Sequence, residues 1–274
     1  MPEPPHIHIG NQTAFFAPLL LPFEFAVEQG FDAFEFFPDG GPGRQGWEAE
    51  DLFHKTRAFI RRTAETRGMR LSVHVSLSAD LLSEAGRDVL GANLDLARDI
   101  RARVLNIHLT PQPNDAFVAA VSSLAARLAG SNMVLAIENT PASGPEEVNG
   151  FFARLRALDP TVARHVGLCL DIGHANLYEG TRNDYLAYFD RLAAAVPLVH
   201  VHAHENRGDA DSHLTLFTGP AQENPAGVEG LVRRLLARGY RGSLILEQWP
   251  DPPELLAVAH QRLQAMIAGD RSAG

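Results

Sequence analysis

The chain of 274 residues is 45% hydrophobic and 21% charged with a net charge of −9, ample material for one large core and a poor match to proteins that bind nucleic acid or anionic membranes generally. A single cysteine, Cys169, excludes a disulfide framework. No apolar run approaches the ~18 residues of a membrane helix and the first residues do not read as a signal peptide, so a cytoplasmic protein is expected.

Taken in order, eight short runs read as strands: Ile7–Gly10, Ala33–Phe37, Leu71–Ser76, Val104–Leu109, Val134–Glu138, Val166–Asp171, Leu198–Ala203 and Ser243–Glu247. Helical periodicity occupies the intervals: Leu19–Gln29, Trp47–Arg67, Gly86–Arg101, Asp115–Leu128, Pro145–Leu158, Thr181–Ala195, Ala226–Arg238 and Pro252–Ile267. Gly30, Gly68, Gly130 and Gly239 stand where left-handed helix stops belong, and Ala268–Gly274 is expected to fray.

Strand–helix alternation repeated eight times predicts an α/β fold, a (β/α)8 TIM barrel in a single domain over residues 1–274. The competing doubly wound sheet usually has fewer strands. A nucleotide-binding sheet of that kind would often carry a Gly-rich turn after its first strand, and Gly10-Asn-Gln-Thr13 is not one.

The residues that end the strands carry the functional signal. The third strand offers His74, the fourth His108 and the fifth Glu138; the sixth ends in Asp171, with His174 three residues on. The seventh places His200, His202 and His204 on one face, and its loop carries Asp211-Ser-His213. The eighth ends in Glu247. Singly, each has a plain explanation: Asp171 as a helix cap before Ile-Gly-His-Ala, a lone histidine as a satisfied core residue. That plain reading is preferred for His200 and His204, and for His6, His54, His165 and His260, which fall at the opposite end or on helices.

Together, however, six strands deliver His, Asp or Glu to one rim. Converging carboxylates repel and are costly to bury unpaired, and few cations stand at these strand ends, so a bound divalent metal is the expected compensation. Mixed carboxylate and imidazole donors suit Mn, Co, Zn or Fe, with Mg acceptable where water fills positions. Lys55, the only lysine, lies in a charged helical stretch, which argues against Schiff-base chemistry.

Glu138-Asn-Thr-Pro, Leu170-Asp171-Ile-Gly-His174-Ala, His200-Val-His202 with Glu205, and Leu246-Glu247 resemble the xylose isomerase-like TIM-barrel superfamily, which holds sugar-phosphate isomerases and epimerases and apurinic-site endonucleases. For the isomerase and epimerase branch, the resemblance implies one metal held by Glu138, Asp171, His202 and Glu247, with His174 and Arg207 at substrate-contacting positions. In the endonuclease branch a fuller ligand set holds three zinc ions, and this chain has His74, His108, Asp211 and His213 where that set would need them.

The preferred expectation is a metal-dependent isomerase or epimerase of a sugar, sugar phosphate or related hydroxy-carbonyl compound. It would act through an enediolate, with Glu138 and Glu247 exchanging protons with carbon. Trp47 and Trp249, with Phe36 and Phe37, are candidate apolar walls for the substrate. The alternative is a multi-zinc phosphodiesterase of the apurinic-site endonuclease type with Glu138 bridging the ions, and the lesser one a small-molecule-binding barrel without turnover. The expected partner is a sugar-like small molecule, with self-association into a homo-oligomer left open and neither general nucleic-acid nor membrane binding expected.

Overall fold

The structure, a computed structural model, describes residues 6–40 and 45–272. Eight strands form a closed parallel barrel in sequence order: β1 (His8–Gln12), β2 (Ala33–Phe36), β3 (Arg70–His74), β4 (Val104–His108), β5 (Val134–Glu138), β6 (Val166–Asp171), β7 (Leu198–Ala203) and β8 (Ser243–Leu246). The ring closes where β8 pairs with β1, Ile9 opposite Leu244 and Asn11 opposite Leu246. Around it run α1 (Leu21–Glu28), α2 (His54–Arg67), α3 (Glu84–Asp99), α4 (Asp115–Leu128), α5 (Pro145–Leu158), α6 (Ile172–Leu177), α7 (Tyr185–Arg191), α8 (Pro220–Glu223), α9 (Ala226–Ala237) and α10 (Glu254–Ser272). No described helix is long and apolar enough to cross a membrane.

Side-chain alternation divides each strand between two cores. Outward residues such as Phe34, Phe36, Leu135 and Ile137 join the apolar layer beneath the helices; Phe23 of α1 meets the rings of Phe34 and Phe36 at 5.2 and 5.7 Å. Ala136 between them belongs instead to a small cluster with Val104 and Cys169. The same alternation carries Glu35, Asn106, Glu138, Asp171, His200 and His202 inward, all without solvent exposure. Register then levels the charged ends: His108 lies opposite Glu138, and Asp171 opposite His202.

Several boundaries differ from expectation, each for a local reason. The stretch from Trp47 does not start one long helix. A short 3-10 turn over Ala49–Asp51 comes first, the Asp51 carboxylate accepting from the Glu48 N–H at 2.8 Å, and α2 begins only at His54. Thr181–Ala195 shortens to α7, whose start is set by Asp184 accepting from the Ala187 N–H at 2.9 Å. Gly30, Gly68 and Gly239 do adopt positive φ, but Gly130 is not among the glycines that do. α10 continues through Ser272, and residues 273–274 of the tail expected to fray lie outside the described residues.

Candidate metal centre

At the carboxyl ends of the strands, Glu138 is the hub of a buried cluster. Its Oε1 lies 3.4 Å from His108 Nε2 and 3.3 Å from His174 Nδ1. Its Oε2 lies 3.2 Å from His74 Nε2 and 3.3 Å from His202 Nδ1, and also accepts from the Asn106 amide. His202 Nδ1 reaches on to Glu247 Oε2 at 3.5 Å. On the other side Asp211 Oδ2 stands 3.3 Å from both His174 Nε2 and His213 Nε2, and His204 Nε2 stands 3.2 Å from Asp171.

The imidazoles are held in defined orientations. A carbonyl only accepts, so the ring nitrogen facing one must carry the proton. His74 Nδ1 donates to Val75 O at 2.8 Å, His174 Nδ1 to Asn139 O at 2.9 Å and His213 Nδ1 to the Glu247 backbone O at 2.9 Å. His74 and His213 therefore turn Nε2 toward the carboxylates, while His174 presents Nε2 to Asp211 and keeps Nδ1 beside Glu138 and Asp171. His202 is reversed: Glu35 Oε1 holds its Nε2 at 2.8 Å, leaving Nδ1 for Glu138 and Glu247. Such outer partners orient histidine ligands in metal sites.

Asp171 serves two ends at once. Its Oδ1 caps α6 by accepting from the His174 N–H at 2.7 Å, as the helix-cap reading expects, while Oδ2 faces the His174 ring at 3.3 Å. Asn139 locks the Asp171 backbone on both sides, accepting from its N–H and donating to its carbonyl, each at 2.9 Å. Gly173 makes room for His204, since a Cβ there would fall 1.9 Å from the ring.

Burial opposes charge throughout, yet the partners decide most signs. Burial alone would raise the Glu138 carboxyl, but His202, His108 and His174 hold it well below the usual carboxylate range. Asp171 and Asp211 are likewise depressed by neighbouring histidines against their burial. Against the same desolvation, His174 and His202 are raised well above 6.5, and His213 is pushed up to about 10, mainly by Asp211 and Glu247. Glu247 goes the other way: burial, with Asp171 and Glu138 nearby, raises it despite His202.

The donor set fits a divalent ion. Glu138 Oε1, Glu247 Oε2 and His202 Nδ1 are buried without a hydrogen-bond partner, the last two 3.5 Å apart and Glu138 Oε1 turned toward His108 and His174. Ligand atoms of His74, His108 and Glu138 lie within 4.8 Å of one another, as do those of His74, His202 and Glu247. Such donors leave no need for a protonated imidazole once a cation is shared.

All of Glu138, Asp171, His202, Glu247, His74, His108, His174, Asp211 and His213 are thus brought to one mouth. Arg207 is exposed in the loop beyond them. Glu205 is structural, accepting from the N–H groups of Gly219 and Ala221 at 2.9 and 2.7 Å and so fixing the start of α8. His204 is buried, as the core reading expects, and its ring also stacks on His213 at 4.0 Å and touches Asp171 at 3.2 Å. His200 keeps its interior role, paired to Glu35 at 2.9 Å. Trp47 is corrected as well: it is 6% exposed and packs edge-on to Phe36 in the core. Trp249 is half-buried against Phe25. The aromatic wall is Phe37, whose ring lies 4.2 Å from that of His74, with Phe15 behind it at 5.4 Å. Glu35 and Asn106 escaped the sequence reading, which named Asn139 only within the Glu138-Asn-Thr-Pro motif; a carboxylate inside the apolar run Ala33-Phe-Glu-Phe36 was the available sign.

A family profile described as xylose isomerase-like TIM barrel matches residues 23–266. No curated protein matches the chain in sequence. Among solved structures, an L-ribulose 3-epimerase is 17% identical with a TM-score of 0.70, covering 98% of this chain and 97% of its own. Endonuclease IV from Thermus thermophilus is 23% identical with a TM-score of 0.67, covering 96% and 99%. A D-psicose 3-epimerase crystallised with D-fructose is 16% identical with a TM-score of 0.65, covering 97% and 98%. At these identities the likeness is one of fold.

Proposed function

Because this chain belongs to the xylose isomerase-like TIM-barrel family, we propose that it is a divalent-metal-dependent isomerase or epimerase of a small ketose or related hydroxy-carbonyl compound. The observation that carries this reading is the pair of glutamates flanking His202 Nδ1, Glu138 at 3.3 Å and Glu247 at 3.5 Å. Glu138, held ionised, is suited to accept the proton from the carbon beside a carbonyl. Glu247, on the other side of His202 Nδ1, is placed to return one to the other face of that carbon. Glu138, Asp171, His202 and Glu247 would hold the ion, which when bound supplies Lewis-acid polarisation of the carbonyl. Phe37 and Phe15 offer an apolar wall that excludes water from one side.

Charge at the mouth supports a small substrate over a polyanion. Among the described residues of the loops that follow the strands, the only Lys or Arg side chains are Arg182 and Arg207. Asp39, Asp80, Glu179, Asp209 and Asp251 stand in the same loops. Duplex DNA needs several phosphate contacts, and this surface is poorly equipped to make them.

The reading is tested by incubating metal-replete protein with a panel of ketoses in deuterated water and following the proton signal of the carbon beside the carbonyl. Metal-dependent exchange of that proton is expected. Absence of exchange together with metal-dependent hydrolysis of phosphodiesters would reverse the assignment to a multi-zinc phosphodiesterase. One observation favours that second reading: His74 and His108 on one side of Glu138, and His174, Asp211 and His213 on the other, supply more donors than a single ion uses.

A further inference from the structure

At the opposite end of the barrel, where the strands begin, a cleft of about 1600 Å³ opens to solvent. Arg70, Arg103 and Arg241 enter it from the starts of β3, β4 and β8, Arg61 from the middle of α2, Arg98 and Arg101 from the end of α3, and Arg238 from the end of α9. These seven arginines face one lining carboxylate, Glu65, in a chain whose net charge is −9. The cationic surface that is scarce at the mouth is concentrated here.

The plain explanation is that arginines near helix C-termini bond the last carbonyls and complement the helix dipole. It accounts for part of the set. Arg61 donates to Asp99 O at 3.2 Å, Arg238 to Leu192 O at 2.8 Å and Arg70 to Arg241 O at 2.6 Å. Glu65 is taken by Arg101 at 2.6 Å, and Arg98 pairs with Asp95 at 3.5 Å. Arg103 and Arg241 remain: both are exposed, and neither side chain forms an ion pair or hydrogen bond among the described residues. Arg103 also stands close enough to Arg70 to lower its proton affinity, adding to the effect of burial. Asp32 offsets part of this at Arg70, but Arg103 and Arg241 have no paired carboxylate among the described residues, and a shared anion would relieve the repulsion between like charges. The cleft between them is lined by Met69, Leu71, Met133 and Val199, which leaves room for the uncharged body of a ligand.

We propose that this cleft is a binding site for a small polyanion bearing two or more phosphate groups, gripped by Arg70, Arg103 and Arg241 at the strand starts. Guanidinium groups present paired N–H donors that match phosphate oxygens, and a linked pair of phosphates spans neighbouring strands as a single phosphate does not. The site is remote from the metal-ligand cluster and stands whether or not the reaction proposed for the mouth is correct.

Titrating inorganic pyrophosphate into the purified full-length chain by calorimetry, in buffer of low ionic strength, tests it. Saturable binding is expected, weakening steeply as salt is raised. The double variant R103A/R241A should bind at least about tenfold more weakly, while E138Q, which alters only the mouth, should bind as the wild type does. Circular dichroism establishes folding; if the double variant is unfolded, R241A alone is used, because the Arg241 backbone carbonyl still accepts from Arg70. No binding by the wild type, or equal binding by the arginine variants, overturns the proposal. Loss of binding in E138Q with retention in R103A/R241A would place the anion at the mouth and overturn it equally.

Discussion

Glu35 Oε1 lies 2.8 Å from His202 Nε2, and its Oε2 lies 2.9 Å from His200 Nε2, all three groups fully buried. One carboxylate on β2 thereby fixes two imidazoles on β7 across the barrel interior, and turns the free nitrogen of His202 up to Glu138 and Glu247. Replacing Glu35 by Gln removes the charge but keeps one acceptor oxygen. Metal affinity, measured against a chelator, should fall by about 10–100-fold in E35Q. Removing the partner altogether in E35A should also destabilise the fold by about 3–5 kcal/mol in denaturant unfolding, because two buried imidazoles lose their acceptor. Wild-type metal affinity in E35Q would show that His202 needs no such hold.

The ligands themselves should separate binding from folding. Glu138→Gln and Asp171→Asn sit above the apolar layers, so thermal unfolding should remain cooperative and stability should change by only a few kcal/mol. Bound divalent metal, measured by elemental analysis, should nevertheless drop to a minor fraction, and activity with it. Unchanged metal content in both variants would remove the basis for the centre.

The barrel was legible because eight strand-helix units punctuate the chain in the same way, and the rim because its charges follow directly on apolar runs. Glu35 and Asn106 were hidden for the opposite reason. They sit within strands, and only closure of the ring shows that the interior carries a polar layer beneath the rim. Alternation places His204 on the inward face, and its burial follows, but its contact with Asp171 and His213 is visible only in the folded ring. The small side of Gly173 leaves the space into which its ring fits. Trp47 was misplaced because Ala49–Asp51 turns the chain before α2 and tucks the indole under Phe36.

Gly173 gives a local test of that packing. A Cβ at this position would meet three atoms of the His204 ring at 1.9–2.5 Å. Gly173→Ala should therefore displace the ring from Asp171 and His213, costing about 1–3 kcal/mol of stability. Metal affinity should fall alongside, because Asp171 loses a fixed neighbour. An unchanged melting temperature would mean that His204 moves without penalty.

The charge states predict a pH response that reverses with metal. In the metal-free protein, His213 is raised from 6.5 to about 10, so its pairing contributes stability fully below pH 6.5 and loses it as pH rises through about 10. Glu138, Asp171 and Asp211 are depressed, so their contribution is present above the ordinary carboxylate range and is lost on acidification through their lower native values. Calorimetry with chelator present should find the melting temperature highest in mildly acidic buffer and falling toward pH 10. With metal present the imidazoles are ligated in their neutral form, so stabilisation by metal should grow with pH and metal uptake should release protons. A metal-free melting temperature that climbs from pH 6.5 to 9 would contradict the protonated state of His213.

The comparison of His213→Ala with Glu138→Gln separates the two catalytic readings. Glu138 touches His74, His108, His174 and His202, so its replacement should impair the centre under either reading. His213 stands at the edge, 37% exposed, bound to Asp211 and to the Glu247 backbone. With one ion held by Glu138, Asp171, His202 and Glu247, loss of His213 should leave the metal count near one per chain. Proton exchange with a ketose should then fall only modestly, against a loss of about 10²–10⁴-fold in E138Q. With three ions, Asp211 and His213 become ligands; His213→Ala should then strip one ion and inactivate as fully as E138Q. Elemental analysis of both variants and their residual rates, read together, decide the matter: equal inactivation with fewer ions in H213A assigns the hydrolase, and a wide gap in rate at constant metal content assigns the isomerase or epimerase.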